Sequence, residues 1–277
     1  MLTGGNILFA PFSRRDKSPS DLLLCFSESS VLLLPQAPAT HAFPTFAMLQ
    51  GLLPPGVEPY LLLSLPHCNV YGLDTQGQLP ASEPFAYRPV GIFREMHNTD
   101  DSLLLISAWH MLVWYRRNRF CGACGTPLAL SSTERALCCP ACQQIVYPTI
   151  SPAVSVAITN GPRLLLARNA RSTFSHFSLI AGYVEVGETL EETVAREVME
   201  EVGLQVKNIR YIASQAWGLS QAEMMGFHAE LDGSDQITIQ ESELSEARWF
   251  HRDELTPGPN PVSLSFEMIE RFRTKTL

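Results

Sequence analysis

The sequence predicts an α+β protein in three parts: an N-terminal α+β domain over 1–118, a short metal-bound ribbon over 119–147 and a C-terminal mixed-sheet domain over 148–277. Three observations predict it. Short apolar runs separated by Pro, Ser and Gly clusters fill the first hundred residues, among them NILFA (6–10), DLLLCF (21–26), SVLLLP (30–35) and YLLLSLP (60–66). Four cysteines crowd into 121–142 as two C-x-x-C pairs. Beyond them, β-type runs surround one strongly patterned helix at 189–203.

Taken in order, 102–118 follows the short strands as a long apolar segment, with Leu103, Ser107, Met111 and Trp114 near helical spacing. Arg116 and Arg117 fall at its end, where cations favour the helix dipole; a phosphate or RNA contact is the sharper reading of the same cluster. After the ribbon, AVSVAIT (153–159) and RLLLAR (163–168) flank Asn160, Gly161 and Pro162, the chemistry of a hairpin. FSLIAGYV, NIRYIASQAW, MMGFHAEL and ARWF are further strands, and a last helix is expected around 262–273. A mixed sheet with helices on its faces accommodates this order.

Composition narrows the function. Hydrophobic residues make up 45% of the 277 and charged ones 17%, a globular balance with room for two cores. A net charge of −8 argues against a protein that holds bulk nucleic acid by electrostatics. The absence of a long apolar stretch and of a leader-like N-terminus predicts a cytoplasmic protein without a membrane partner. Seven cysteines, an odd number, suit a metal site in a reducing compartment better than a disulfide framework. Cys25, Cys68 and Cys138 read as small apolar residues.

Cys121 and Cys124 form one pair and Cys139 and Cys142 the other, with fourteen residues between. Each pair lets one tight turn present two thiolates to the same ion, and Gly122, Gly125 and Pro140 permit the sharp bends. Four thiolates leave no open position. The expectation is therefore one structural Zn²⁺ per chain.

The helix carries the chemistry. Thr189 with Glu192 makes a capping box, and Gly203 is placed to end the helix in the left-handed conformation. Leu190, Val194, Val198 and Val202 form an apolar stripe, with Glu197 and Glu201 at its margin and Glu200 beside them. Like charges at this spacing destabilise a helix by about 0.2–0.5 kcal/mol per pair, so a positive partner is required. Divalent cations with oxygen ligands, Mg²⁺ or Mn²⁺, answer that need.

The stretch from Gly182 to Leu204 matches, at every defined position, the Nudix box G-x5-E-x7-R-E-U-x-E-E-x-G-U, where U is bulky and aliphatic. The chain thus resembles the Nudix hydrolases. The resemblance implies an α/β/α sandwich with a mixed sheet, Glu197, Glu200 and Glu201 as metal ligands, and Glu188 and Arg196 orienting the motif. A ribbon directly before such a domain, itself preceded by about a hundred residues, is similar to the NAD(H) diphosphatase family, called NudC in bacteria.

A second signature of that family, S-Q-P-W-P-F-P-x-S followed by Met and Gly-Phe, is partly present. Ser214, Gln215, Trp217, Met224 and Phe227 agree, whereas Ala216, Gly218, Leu219 and Ser220 replace Pro, Pro, Phe and Pro. The replacements remove rigidity from what is expected to be a loop near the nicotinamide end or a dimer partner. By resemblance, Tyr147 and Tyr183 stack on rings, Trp217 is a further stacking face, Gln215 and Met224 belong to the substrate-binding signature, and Ser265 lies where the last helix nears the nucleotide. Glu243 resembles an extra catalytic glutamate supplied from outside the box.

The resemblance implies a homodimer that hydrolyses the diphosphate of NAD(H) to AMP and nicotinamide mononucleotide. The same bond exists in NAD-capped RNA. Two alternatives stay open: a Nudix hydrolase of ADP-ribose or another nucleoside diphosphate derivative, and an inactive zinc-ribbon nucleic-acid adaptor, which the intact carboxylates and acidic charge disfavour.

Overall fold

A computed structural model describes the chain except for residues 1–8, 11, 13–15, 37–39, 54–55, 78, 80, 82, 97, 171–175 and 257–261. The first part of the run NILFA therefore lies outside the described residues. Two compact units divide the rest: Gly5–Thr149 with Gly218–Ser220, and Ile150–Trp217 with Gln221–Leu277.

In the first unit, β1 (Leu22–Ser27), β2 (Ser30–Gln36), β3 (Thr40–Ala42), β4 (Tyr60–Ser64), β5 (Asn69–Asp74) and β6 (Ala86–Pro89) form one sheet in the order β3-β2-β1-β5-β4, with β6 on β2. Only β1 and β5 run parallel among these pairs. Leu23, Cys25, Leu32, Leu49, Tyr71 and Leu73 make its core, so Cys25 is a buried apolar residue as expected. Burial pushes its thiol up to about 12.

Helix α1 (Thr99–Arg117) starts where Asn98 accepts from the Asp100 amide, with Asp100 and Asp101 in the first turn. Leu104, Leu105, Ala108, Met111, Leu112 and Tyr115 are buried while Leu103 and Ser107 are only half-buried. The helix is apolar on most of its circumference, which blurs a spacing argument. Its Arg116, next to last in the helix, is bonded across the unit. Two parallel bonds of 2.7 and 2.8 Å tie it to Asp74, and a third reaches the Glu28 carbonyl. Among the described residues, no helix is long and apolar enough to cross a membrane.

The ribbon is a three-stranded sheet of β7 (Ala129–Leu130), β8 (Leu137–Cys138) and β9 (Ile145–Val146). Its two cysteine turns repeat one another. The Gly125 amide donates to the Cys121 carbonyl and the Gln143 amide to that of Cys139, and both donors have positive φ, 73° and 64°. Thiol sulfurs stand 3.5 Å apart for Cys121–Cys142 and Cys124–Cys139, 3.6 Å for Cys124–Cys142, and all four lie within 4.8 Å. Tetrahedral Zn–S bonds of about 2.3 Å require sulfur separations of about 3.8 Å, so the set fits Zn²⁺.

The second unit holds β10 (Ser151–Asn160), β11 (Arg163–Asn169), β12 (Ile180–Tyr183), α2 (Leu190–Val202), β13 (Gln205–Trp217), β14 (Ala222–Asp232), β15 (Leu244–His251) and α3 (Leu264–Arg273). Strand order is β13-β14-β10-β11-β15, with β12 on β10; β10 and β14 are parallel and the other pairs antiparallel. Gly161 and Pro162 close the expected hairpin, since Asn160 pairs with Arg163.

Alternation along β10 makes the layers. Val154, Val156 and Ile158 join Val194, Val198 and Val202 of α2 in one core. Ala157 joins Leu264, Met268, Ile269 and Phe272 of α3 in the other. The sheet is thus covered by one helix on each face, as a buried strand of period two requires. Zinc should be found at one ion per chain, and strong chelation should unfold the ribbon; elemental analysis that finds no zinc in protein made with ample zinc contradicts this.

Candidate active site

Helix α2 is set by local chemistry. Thr189 accepts from the Glu192 amide while Glu192 accepts from the Thr189 amide, and Gly203 ends the helix at φ 68°. Val194, Val198 and Val202 are fully buried, and they carry the flanking Glu197 and Glu201 into the interior at 8% and 5% exposure. Two carboxylates in one apolar margin repel each other. Burial, then Glu197, Glu243 and Glu200, push Glu201 up to about 8. Burial likewise raises Glu197, against the opposing pull of Arg196.

Arg196 organises the cluster. Nε donates to Glu188 Oε1 at 2.5 Å and Nη2 to Glu188 Oε2 at 2.9 Å, a bidentate fork. Nη1 reaches Glu197 Oε1 at 2.8 Å and Glu200 Oε2 at 3.1 Å, and Nη2 also donates to the Tyr183 carbonyl at 3.0 Å. Glu188 accepts further bonds from the Glu185 amide and the Thr193 hydroxyl. The Arg196 bonds, with these two, hold its carboxyl down at about 2. The Arg196 guanidinium is correspondingly raised, first by Glu188.

Gly182 completes the cradle. Strand β12 places it against α2 so that a Cβ there would lie 1.9–2.3 Å from the Glu197 carboxylate. Sequence reasoning used Gly182 only as a motif position; its role shows once β12 and α2 are juxtaposed. Glu243 stands exposed in the turn before β15, its charge acting on both Glu197 and Glu201. Among the described residues, the carboxylate oxygens do not converge as the cysteine sulfurs do, because Arg196 holds two of them. Their hard oxygen chemistry and shared excess charge nevertheless fit divalent ions.

The other anticipated residues fall into separate groups. Gln215, Met224 and Ser265 gather around α3. The Gln215 amide donates to the Val262 carbonyl and accepts from the Leu264 amide, both at 2.7 Å, capping a helix whose own Ser263 makes no side-chain cap. Met224 packs against the α3 core, and the Ser265 hydroxyl meets that of the buried Ser155 at 2.9 Å. Tyr183 is exposed at the end of β12. Tyr147 belongs to the first unit, where its hydroxyl donates to Glu134.

The partial signature proves to be a hairpin rather than a loop. Ser214, Gln215, Ala216 and Trp217 pair with Met225, Met224, Glu223 and Ala222, leaving 218–221 as the turn. Proline at 216 could supply no amide to such a ladder, whereas alanine keeps one.

The NUDIX domain family profile matches residues 149–272, and that of the NADH pyrophosphatase zinc ribbon domain matches 116–147. A protein of Stutzerimonas stutzeri (strain A1501) named NAD-capped RNA hydrolase NudC is 43% identical over 201 residues, 72% of each chain. One of the same name from Chromobacterium violaceum is 41% identical over 203 residues, 73% of this chain and 75% of that one. This chain belongs to the NudC family of Nudix hydrolases.

A NUDIX hydrolase structure from Nitrosomonas europaea aligns with a TM-score of 0.50 at 24% identity, covering 57% of this chain and 91% of its own, and supports the fold. The Nudix helix thus carries its carboxylates partly buried and mutually repelling. Two outcomes follow. Unfolded Glu201 titrates near its ordinary 4.5 and the folded group near 8, so the folded state holds the proton in between. In metal-free protein the Glu201 contribution to stability should then be fully present below about 4.5 and be lost as pH rises to about 8. Thermal unfolding across this window should show a shallower decline for Glu201→Gln; parallel curves for the two proteins refute the assignment. Gly182→Ala should displace Glu197, cost about 1–3 kcal/mol of stability and lower turnover at least about tenfold, while unchanged kinetics would remove the cradle role.

Proposed function

We propose that this Nudix hydrolase cleaves the diphosphate of NAD(H), releasing AMP and nicotinamide mononucleotide, and removes NAD from the 5′ end of RNA. The observation that carries the reading is the carboxylate set of α2, partly buried and ordered by a single guanidinium, in a chain that also bears the NADH pyrophosphatase ribbon. The curated relatives are named NAD-capped RNA hydrolase.

Glu197, Glu200, Glu201 and Glu243 would hold Mg²⁺ or Mn²⁺. When bound, such ions neutralise phosphate oxygens and lower the pKa of water for in-line attack. Glu188 and Arg196 act as positioning residues: the fork between them fixes the start of α2, and Nη1 aims Glu197 and Glu200. Tyr183 and Trp217 offer rings on which adenine or nicotinamide stacks, with Gln215, Met224 and Ser265 on the substrate side. The working form is a cytoplasmic homodimer.

Glu201→Gln keeps side-chain volume and removes one charge. It should cost at least about 2.7 kcal/mol of transition-state stabilisation, roughly a hundredfold in rate, with folding intact. Glu191→Gln, on the exposed side of α2, should change little. Mn²⁺-dependent hydrolysis of NADH by both variants decides it: a folded Glu201→Gln with near-normal turnover rules out the metal role. Turnover of NADH, ADP-ribose and NAD-capped RNA by one preparation separates the substrates, and preference for ADP-ribose would overturn the NAD reading.

A further inference from the structure

At the other end of β10 from the carboxylates lies a cavity of about 240 Å³ bordered by Thr159, Gly161, His228, Arg252, Phe272 and Lys275. Ala153 pairs with Tyr183 beside the site, and Thr159 is six residues further along the strand, about 20 Å at roughly 3.3 Å per residue. The His228 imidazole is fixed there. Arg210 Nε donates to its Nδ1 at 3.1 Å, so Nε2 carries the proton and donates to Thr159 Oγ1 at 2.9 Å. Burial, then Arg210, lowers its pKa, against the weaker effect of Glu230, which accepts from Asn208.

The cations around it are unpaired. Arg252 Nε donates to the Phe272 carbonyl and its guanidinium lies 4.4 Å over the Phe272 ring; Lys275 follows the end of α3. Among the described residues, Arg210, Arg252 and Lys275 form no ion pair, whereas Arg163, Arg168, Arg271 and Arg273 of the same unit each do. Arg252 and Lys275, two unneutralised cations bordering one cavity of a chain with net charge −8, mark an anion site. An RNA strand leaving an acidic enzyme needs such local cations, because its affinity comes from phosphate contacts.

We propose that this cavity binds a phosphate group, supplied by a phosphodiester downstream of the cap in NAD-capped RNA; the RNA source rests on the function proposed above. Lys275→Glu, at an exposed position, and Arg252→Gln are the variants, each compared with wild type for kcat and KM on NADH and on a long NAD-capped RNA across salt concentrations. Each should raise KM for the RNA about three- to tenfold, leave NADH kinetics unchanged and reduce the salt slope by about 0.7. In parallel, the His228 ring resonances are followed during titration with inorganic phosphate, expected to shift in wild type and not in Lys275→Glu. A phosphate response without any effect on RNA assigns the site to free phosphate and sustains it. No effect in either arm, or equal losses on NADH and RNA, overturns it. A wild type that cleaves NADH but not NAD-capped RNA defeats the RNA source alone, and the phosphate titration still decides the cavity.

Discussion

The fork between Arg196 and Glu188 is the interaction on which the rest of the site depends. Three carboxylates, Glu188, Glu197 and Glu200, share one guanidinium, and Glu197 and the neighbouring Glu201 are buried. Isolated carboxylates at such depth would protonate, as Glu201 does until about 8. Arg196 offsets part of that cost for Glu197 and Glu200 but makes no bond to Glu201. The helix tolerates the remaining repulsion because its ends are capped and its valine stripe is fully buried, worth about 1.5–3 kcal/mol per side chain. Fold stability is thereby lent to an arrangement that is electrostatically complete only with added positive charge.

The sheet places this arrangement through β10. One face of the strand packs α2 and the other α3, so the carboxylate cluster and the Ser155–Ser265 contact share a rigid element. Strand β12, paired to β10 at Ala153–Tyr183 and Val154–Gly182, brings the one residue without a side chain against Glu197. Gln215 links the β13–β14 hairpin to the start of α3, making the second signature part of the same frame. The alanine at 216 is consistent with that frame, since a hydrogen-bonded hairpin supplies the order that prolines would supply by stiffness.

What could be read in advance follows the range of the interactions. The caps of α2, the cysteine turns and the Gly161–Pro162 hairpin are set by residues within a few positions of each other, and their local chemistry names them. The bond from Arg116 to Asp74 spans 42 residues and that from Gln215 to Leu264 spans 49, so neither has a local signature. Without the first, the arginines at the end of α1 read as a cap or a phosphate contact. Without the second, Gln215 reads only as a member of a motif. The pairing of β10 with β12, and hence the cradle at Gly182, is equally nonlocal.

The cysteine set and the carboxylate set proposed to hold divalent ions differ in how much of their geometry the polypeptide supplies. The ribbon has almost no core of its own, yet two repeated turns bring four soft sulfurs to tetrahedral spacing and leave no position for substrate. Its ion would substitute for the apolar core that three two-residue strands cannot build. On α2 the core is already present and the oxygens stay apart, two of them turned onto Arg196. Ligands that must rearrange to bind an ion, with water and phosphate completing its coordination, suit a site where charge has to be neutralised during a reaction. The closed set therefore belongs to folding, and the open, frustrated one is where hydrolysis can occur.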